Sequence, residues 1–96
     1  MNVAQSIRLA VDSGKVEFGL DKALKKALVG GVKLVVIAKN CPRASELKGY
    51  CAASKTPTLD FEGTGMELGA VCGKPFIISV LTVIEEGNSD ILKAKS

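Results

Sequence analysis

Residues 33–38, KLVVIA, form an almost continuous apolar run that is rich in β-branched side chains. A strand with one face in water alternates apolar and polar residues, and this run does not alternate. It therefore predicts a strand that is buried on both faces, with helices covering the sheet on either side. The run ends at Asn40-Cys41-Pro42, where proline stops further pairing and suits the start of a helix.

The rest of the chain alternates between helix and strand patterns. Helices are predicted for residues 2–13, 21–29, 43–54 and 64–73, with a short fifth helix opening at 88–90; strands are predicted for residues 15–18, 33–38, 58–61 and 76–84. Thr64 and Glu67 form a capping box at the fourth helix, and Gly73 suits the left-handed position after it. Leu28 and Tyr50 are expected on inward helix faces.

This order of elements predicts an α/β fold, a three-layer α/β/α sandwich with a four-stranded mixed sheet. Ninety-six residues suit one domain spanning residues 1–96, and the chain is 47% hydrophobic, enough to bury a core. The chain has neither an apolar run long enough to span a bilayer nor a signal-peptide pattern at its N-terminus. A cytoplasmic protein is therefore expected.

The chemistry available to the chain is narrow. It has no histidine, and its three cysteines, Cys41, Cys51 and Cys72, form no CxxC pair. This pattern argues against zinc sites and histidine-based catalysis, and it predicts reduced thiols, with Cys51 and Cys72 buried and Cys41 in an exposed loop. The glycine pairs at residues 30–31 and 63–65 match no phosphate-binding motif. We therefore expect no enzymatic activity, no cofactor and no metal.

Three loops carry the features that packing does not explain. Residues 19–22 open the second helix, residues 39–43 join the buried strand to the third helix, and residues 73–76 form a Gly-Lys-Pro-Phe turn. If the loops meet at one end of the sheet, they form a basic rim around an apolar patch, which suits phosphates and an unstacked base. The alternative is a set of ordinary loops with solvated lysines.

Charge is compatible with an anionic partner without requiring one. Residues 1–50 contain nine basic and four acidic side chains, whereas residues 51–96 contain four basic and six acidic ones. The basic excess thus lies in the half of the chain that carries two of the three loops. The sequence pI of about 8.8 is slightly below the range typical of strongly basic nucleic-acid-binding domains.

Four segments in order give the chain a family resemblance: Gly-x-x-Lys at the start of the second helix, KLVVIAKNCP, ELGAVCGKPF and EEGNSDIL. Together they resemble the L-thirty-e family of archaeal and eukaryotic large-subunit ribosomal proteins. That family belongs to the kink-turn RNA-binding superfamily named after ribosomal protein L-seven-Ae. The resemblance covers nearly the whole chain, and it implies the α/β/α sandwich and the binding of a kink-turn in ribosomal RNA.

The resemblance also implies which residues contact RNA. The start of the second helix would meet the RNA backbone and G·A edges, the next loop would supply a polar contact and a basic side chain, and the last loop would supply apolar contacts to flipped bases. The residues carried over in this way are Gly19, Asp21, Lys22, Lys25, Lys26, Asn40, Arg43, Lys74, Phe76 and Ile78.

Two of these positions have alternative interpretations. Phe76 can offer its ring to an unstacked base, or it can be a core residue at the start of a strand. Asp21 departs from the basic or amide residue that is typical of the family at its position. A carboxylate there either repels phosphate or accepts a hydrogen bond from a guanine edge.

The resemblance implies a cytoplasmic, ribosome-bound protein that has neighbouring large-subunit proteins as possible partners, does not interact with membranes, and is a monomer off the ribosome. Two other interpretations fit the same residues. One is a non-ribosomal kink-turn-binding protein of the same superfamily. The other is an α/β protein-interaction domain without an RNA partner.

Overall fold

The computed structural model of the protein describes residues 3–93. Its α-helices are α1 (Val3–Ser13), α2 (Leu20–Val29), α3 (Ala44–Ala53) and α4 (Gly65–Val71), and its strands are β1 (Lys15–Phe18), β2 (Leu34–Ile37), β3 (Thr58–Asp60) and β4 (Val80–Glu85). The predicted C-terminal helix is a single 3-10 turn, Ile91–Lys93. The elements follow the predicted order. Asn2, the first residue of the predicted first helix, lies outside the described residues.

The four strands form one mixed sheet in the order β1-β4-β2-β3. Strand β4 is antiparallel to both β1 and β2, whereas β2 and β3 are parallel. Phe18 lies opposite Leu81, and Ile37 lies opposite both Val80 and Asp60. The ends of β1, β2 and β3 and the start of β4 therefore share one edge of the molecule, which we call the loop end.

Strand β2 divides the core into two layers. Leu34 and Val36 pack in a cluster with residues of α1 and α4, whereas Val35 and Ile37 pack with residues of α2 and α3. All four side chains are buried, so the strand has no solvent-facing side. The prediction of a buried strand between two helical layers is confirmed, and so is the α/β/α sandwich.

The fourth strand is shorter than predicted. It begins at Val80 rather than Phe76, and residues 76–79 form a loop. The backbone N–H of Ile78 donates to Gly65 O at 3.0 Å, which holds this segment against α4. Hydrogen bonding between this segment and the chain that follows β2 begins only at Ser79, whose carbonyl oxygen accepts from Ala38 N at 2.9 Å. The apolar sequence of residues 76–79 predicts a strand, but in the structure this segment packs on α4 instead of pairing with another strand.

Two predicted inward side chains lie on the surface instead. Leu28 is 70% exposed, because Ala23 and Ala27 occupy the sheet-facing side of α2 and Leu28 points to another side. Tyr50 is 36% exposed, and its hydroxyl donates to Glu46 Oε1 at 3.3 Å along the outer side of α3. In both helices the apolar pattern of the sequence is one residue wider than the helix face that is buried.

The cysteines lie where the sequence predicts. Cys51 and Cys72 are buried and Cys41 is partly exposed, and all three are free thiols. Burial raises the pKa of Cys72 to about 11, although the positive charges of Lys74 and Arg8 act against this shift. A thiol with such a pKa is almost entirely protonated near neutral pH, which fits a packing role.

The hydroxyl group of Thr82 is a buried polar group that destabilises the core. Thr82 is fully buried in β4 between Glu17 of β1 and Val35 of β2. Its Oγ1 atom has no hydrogen-bond partner among residues 3–93. A buried polar atom without a partner costs about 1–3 kcal/mol.

We therefore expect Thr82→Val to raise the free energy of unfolding by roughly 1–2 kcal/mol, because valine keeps the shape and removes the unsatisfied group. Urea denaturation measures this change. The matched control is Thr64→Val, which should lower stability by about 1 kcal/mol since Thr64 caps α4. A destabilised Thr82→Val protein would contradict the absence of a partner.

Candidate nucleic-acid interface

The structure brings the three predicted loops together at the loop end. Gly19 N donates to Val80 O at 3.0 Å, which joins the residue before α2 to the first residue of β4. The side-chain Oδ1 of Asn40 accepts from Gly65 N at 3.0 Å, which joins the loop after β2 to α4. The Phe18 ring, next to Gly19 in the chain, meets the Phe76 ring, which places residues 73–76 beside the start of α2.

The start of α2 has backbone donors that its N-cap residue does not satisfy. Gly19 precedes the helix with φ 108°, a left-handed value that favours glycine, and a glycine has no side chain that could cap the first turn. A helix start leaves its first N–H groups unpaired and carries partial positive charge, so it attracts anions. Asp21 and Lys22 are exposed in this turn. The turn therefore offers donors and one cation together with one carboxylate.

Asn40 is fixed in orientation by the bond it makes. Its Oδ1 caps the N-terminal end of α4 through Gly65 N, and Lys39 N beside it donates to Gly63 O at 2.9 Å. With the oxygen occupied, the exposed side chain directs its amide hydrogens to other acceptors. The sequence identified Asn40 as a polar contact but gave no sign of this bond.

Arg43 is exposed but already paired. It precedes α3 in a left-handed conformation, φ 59°, and its Nε and Nη2 atoms both lie 2.7 Å from the Glu46 carboxylate. These hydrogen bonds, and then the charge of Glu46, raise the pKa of Arg43, and the Asp21 carboxylate contributes to the same shift. A phosphate that contacts Arg43 must therefore compete with Glu46.

Phe76 lies on the surface rather than in the core. It is 52% exposed, which removes the alternative of a core residue at a strand start. Its ring meets that of Phe18 at the end of β1, with centroids 6.2 Å apart and planes at 81°. The ammonium group of Lys74 lies over the Phe18 ring, 5.5 Å from its centroid. Sequence analysis predicts no role for Phe18 beyond its place in a strand.

Ile78 does not offer the predicted apolar contact. Its side chain is only 1% exposed and packs in the core with residues of α1 and α4. Its neighbour Ile77 is 63% exposed, and Met66 on α4 is 69% exposed. Together with Phe76 they border a shallow cavity of about 270 Å³. Phe76 and Ile77 are both exposed, so the loop does not follow the alternation of a strand, and the prediction of an apolar contact from Ile78 is wrong.

Two glycines of α4, Gly65 and Gly69, let the loop lie on the helix, a role that the sequence analysis did not assign to them. They are four residues apart, a spacing that places them on one side of the helix and is visible in the sequence. A Cβ at Gly69 would overlap Phe76 O, and one at Gly65 would lie 2.7 Å from the Ile77 side chain. The loop therefore rests directly on the helix backbone.

The remaining lysines of α2 lie away from the three loops. Because α2 begins at the loop end, each further residue moves about 1.5 Å along its axis toward the opposite end of the sheet. Lys25 is in the middle of the helix and Lys26 is in its last turn. Lys74 and Phe76 therefore meet at the Phe18 ring, and Lys22 lies in the first turn of α2 at the same end of the sheet. Asn40 lies in the loop after β2 at this end, whereas Lys26 lies near the far end of α2.

Within residues 3–93, no group of three His, Cys, Asp or Glu side chains is arranged to hold a metal ion. None of the helices in that range is sufficiently long and apolar to cross a bilayer.

Comparison with known protein families identifies the family of the chain. The family model described as "Ribosomal protein L7Ae/L30e/S12e/Gadd45 family" matches residues 1–93. The chain belongs to this family. The predicted resemblance is thereby confirmed, and the expectation that the chain is not an enzyme agrees with membership in an L7Ae/L30e family of ribosomal proteins.

Individual members of the L7Ae/L30e family are similar over nearly their whole length. Large ribosomal subunit protein eL30 of Methanosphaera stadtmanae is 41% identical over 97 residues, which cover 99% of each chain. The eL30 protein of Methanosarcina mazei is 43% identical, with 98% of this chain and 89% of the relative covered. A eukaryotic eL30, from Candida albicans, is 42% identical, with 97% and 90% covered.

Proposed function

We propose that this protein is a component of the large subunit of the cytoplasmic ribosome and binds a kink-turn in ribosomal RNA through its loop end. Relatives named as large ribosomal subunit proteins match across the full chain, which supports the ribosomal role. The observation that carries the RNA-binding role is the exposed Phe76 ring, held beside Lys74 on a rim of polar loops.

Each part of the loop end suits one part of a sharply bent RNA. The first turn of α2 and Lys22 would bind backbone phosphates. The amide of Asn40 would donate to a base edge, since its oxygen is bonded to Gly65. Phe76 would stack on an unpaired base, with Met66 and Ile77 widening the apolar surface. Lys74 would neutralise a nearby phosphate.

A binding experiment with matched RNAs tests this function. Fluorescence anisotropy would compare a kink-turn RNA with the same RNA whose sheared G·A pairs are replaced by Watson–Crick pairs. We expect the kink-turn to bind more tightly, with a log–log salt slope of about −2 to −4, because few basic residues lie at the loop end and each neutralised phosphate contributes roughly 0.7–0.9. Equal affinity for both RNAs, or a flat salt response, would contradict the proposal.

The ribosomal assignment and the monomeric state have their own tests. The tagged protein should co-sediment with large subunits from a cell extract and should stay bound in moderate salt. Off the ribosome it should sediment as a single chain. Kink-turn binding without co-sedimentation would favour a non-ribosomal member of the family, and co-sedimentation that resists ribonuclease would favour a protein partner.

Asp21 tests the electrostatics of the α2 start. Its carboxylate is exposed in the first turn, and its charge reaches Arg43. We expect Asp21→Asn to tighten kink-turn binding, because it removes phosphate repulsion and leaves a polar side chain. The cost in folding stability should be about 0.3–1 kcal/mol, the usual size of a helix-dipole interaction.

Anisotropy titrations at two salt concentrations measure the effect, and Glu86→Gln is a control that changes the net charge equally. Glu86 follows the end of β4, at the opposite end of the sheet from the three loops, and is paired with Lys33. If Asp21→Asn instead weakens binding by about 1–3 kcal/mol, the carboxylate accepts a hydrogen bond from a guanine edge. Equal effects of the two variants would show that the start of α2 does not contact RNA.

A further inference from the structure

We propose that Phe18, the last residue of β1, is a positioning residue that holds Phe76 and Lys74 in their RNA-binding arrangement. This inference rests on the proposed function and deepens it. Phe18 is half-buried and need not contact RNA itself. Its role would be exerted through two side chains that belong to another loop, nearly sixty residues later in the chain.

One aromatic ring makes both contacts. The Phe18 and Phe76 rings meet at 81° with centroids 6.2 Å apart, the edge-to-face geometry that aromatic pairs prefer. The Lys74 ammonium lies over the Phe18 ring, 5.5 Å from the centroid, within the range of a cation–π interaction. An aliphatic side chain of similar size could fill the space but could make neither contact.

Phe18 lies in the paired sheet, whereas its two partners lie in a loop. Strand β1 is paired along its length with β4, and Phe18 lies opposite Leu81 and packs against the core cluster of α1 and α4. Gly19 N, the next donor in the chain, is bonded to Val80 O. Lys74 and Phe76 lie outside helices and strands. The Phe18 side chain thus links the paired sheet directly to Phe76 and Lys74.

The glycines of α4 and the Phe18 ring have complementary effects. The glycines let the backbone of the loop lie on the helix, as shown by the overlap that a Cβ at Gly69 would make with Phe76 O. They do not determine where the side chains point. Phe18 restricts the side chains of Phe76 and Lys74 before RNA arrives, and a side chain that is already ordered loses less entropy on binding.

A double-mutant cycle separates positioning from general stability. Phe18→Leu keeps an apolar side chain and removes the ring, whereas Phe18→Tyr keeps the ring and should restore binding. We expect Phe18→Leu to weaken kink-turn binding roughly 3- to 30-fold, from the combined scale of one aromatic pair and one cation–π contact. In a Phe76→Ala background the same substitution should have a clearly smaller effect, because one of its two partners is gone.

A second readout does not require RNA. In the free protein, the ε-methylene protons of Lys74 should show an upfield ring-current shift by NMR, which should vanish in Phe18→Leu and persist in Phe18→Tyr. Thermal unfolding of each variant shows whether the fold is intact. A loss of binding that tracks only the loss of stability, and is the same with and without Phe76, would overturn the positioning role.

The outcomes also distinguish this proposal from the function on which it rests. If the wild-type protein does not prefer the kink-turn over the Watson–Crick control, the proposed function fails, and the positioning role fails with it. If the wild-type protein shows that preference and Phe18→Leu binds equally well, the function stands and only the role of Phe18 is wrong. Retained binding with an unshifted Lys74 resonance would likewise overturn the positioning role alone.

Discussion

Replacing Gly69 by alanine is expected to lower the free energy of unfolding by roughly 1–3 kcal/mol and to weaken kink-turn binding at the same time. The added Cβ would overlap Phe76 O, a backbone atom that cannot rotate away as a side chain can. Either α4 or the loop must shift. A shift of the loop moves Lys74, Phe76 and Ile77 together, so the RNA-binding surface changes without the loss of any of its side chains.

The control for this prediction is Gly49→Ala on α3. Apart from its chain neighbours and the backbone of its own helix, no heavy atom of residues 3–93 lies within 4 Å of the position that its Cβ would occupy, and Gly49 has no left-handed φ. This substitution should stabilise the protein by about 0.5–1 kcal/mol through the helix propensity of alanine, with no effect on RNA. Chemical denaturation and anisotropy measure both variants. If Gly69→Ala is as harmless as Gly49→Ala, the loop does not lie against α4 as described.

Replacing Phe76 by alanine should weaken kink-turn binding by about 1–3 kcal/mol, the usual loss for an aromatic that stacks on a base. Stability should change far less than the roughly 3–5 kcal/mol expected for a core phenylalanine, because the side chain is 52% exposed. The substitution also removes the ring partner of Phe18, so a small part of the loss will come from the aromatic pair.

Leu28→Ala is the matched control for Phe76→Ala. Leu28 is 70% exposed at the far end of α2, so its replacement by alanine removes a similar apolar surface at a position away from the three loops. Affinity and the unfolding midpoint are measured for both proteins. An unchanged affinity of Phe76→Ala, or a loss equal to that of Leu28→Ala, would contradict a role for the ring in RNA binding.

The parts of the fold that could be predicted are those determined by local chemistry. The KLVVIA segment is apolar at almost every position, and it forms a strand buried on both faces because no solvent-facing side is available to it. Thr64 and Glu67 have the spacing of a capping box for a helix that begins just after Thr64, and the structure contains that box. Gly73 takes its left-handed φ of 74° for an equally local reason.

The candidate site was predictable only in part. The sequence predicts three of the candidate contacts because a loop between packed elements does not by itself require such residues: Asn40, Lys74 and Phe76. Phe18 did not stand out, since an aromatic residue in a strand is common and its partners are far away in sequence. The sequence predicts that Ile78 rather than Ile77 is exposed, because the apolar run has the pattern of a strand. In the structure these residues lie in a loop, which does not follow the alternation of a strand.

The sequence by itself determined the order of the elements, the double burial of β2, the cap of α4 and the family, because each depends on neighbouring residues or on a pattern along the whole chain. Only the tertiary structure decided that the loop before β4 rests on the glycines of α4, that Phe18 meets Phe76 and Lys74, and that Ile78 turns inward. These features depend on contacts between segments distant in sequence, where local propensity is overruled by packing against a particular neighbour.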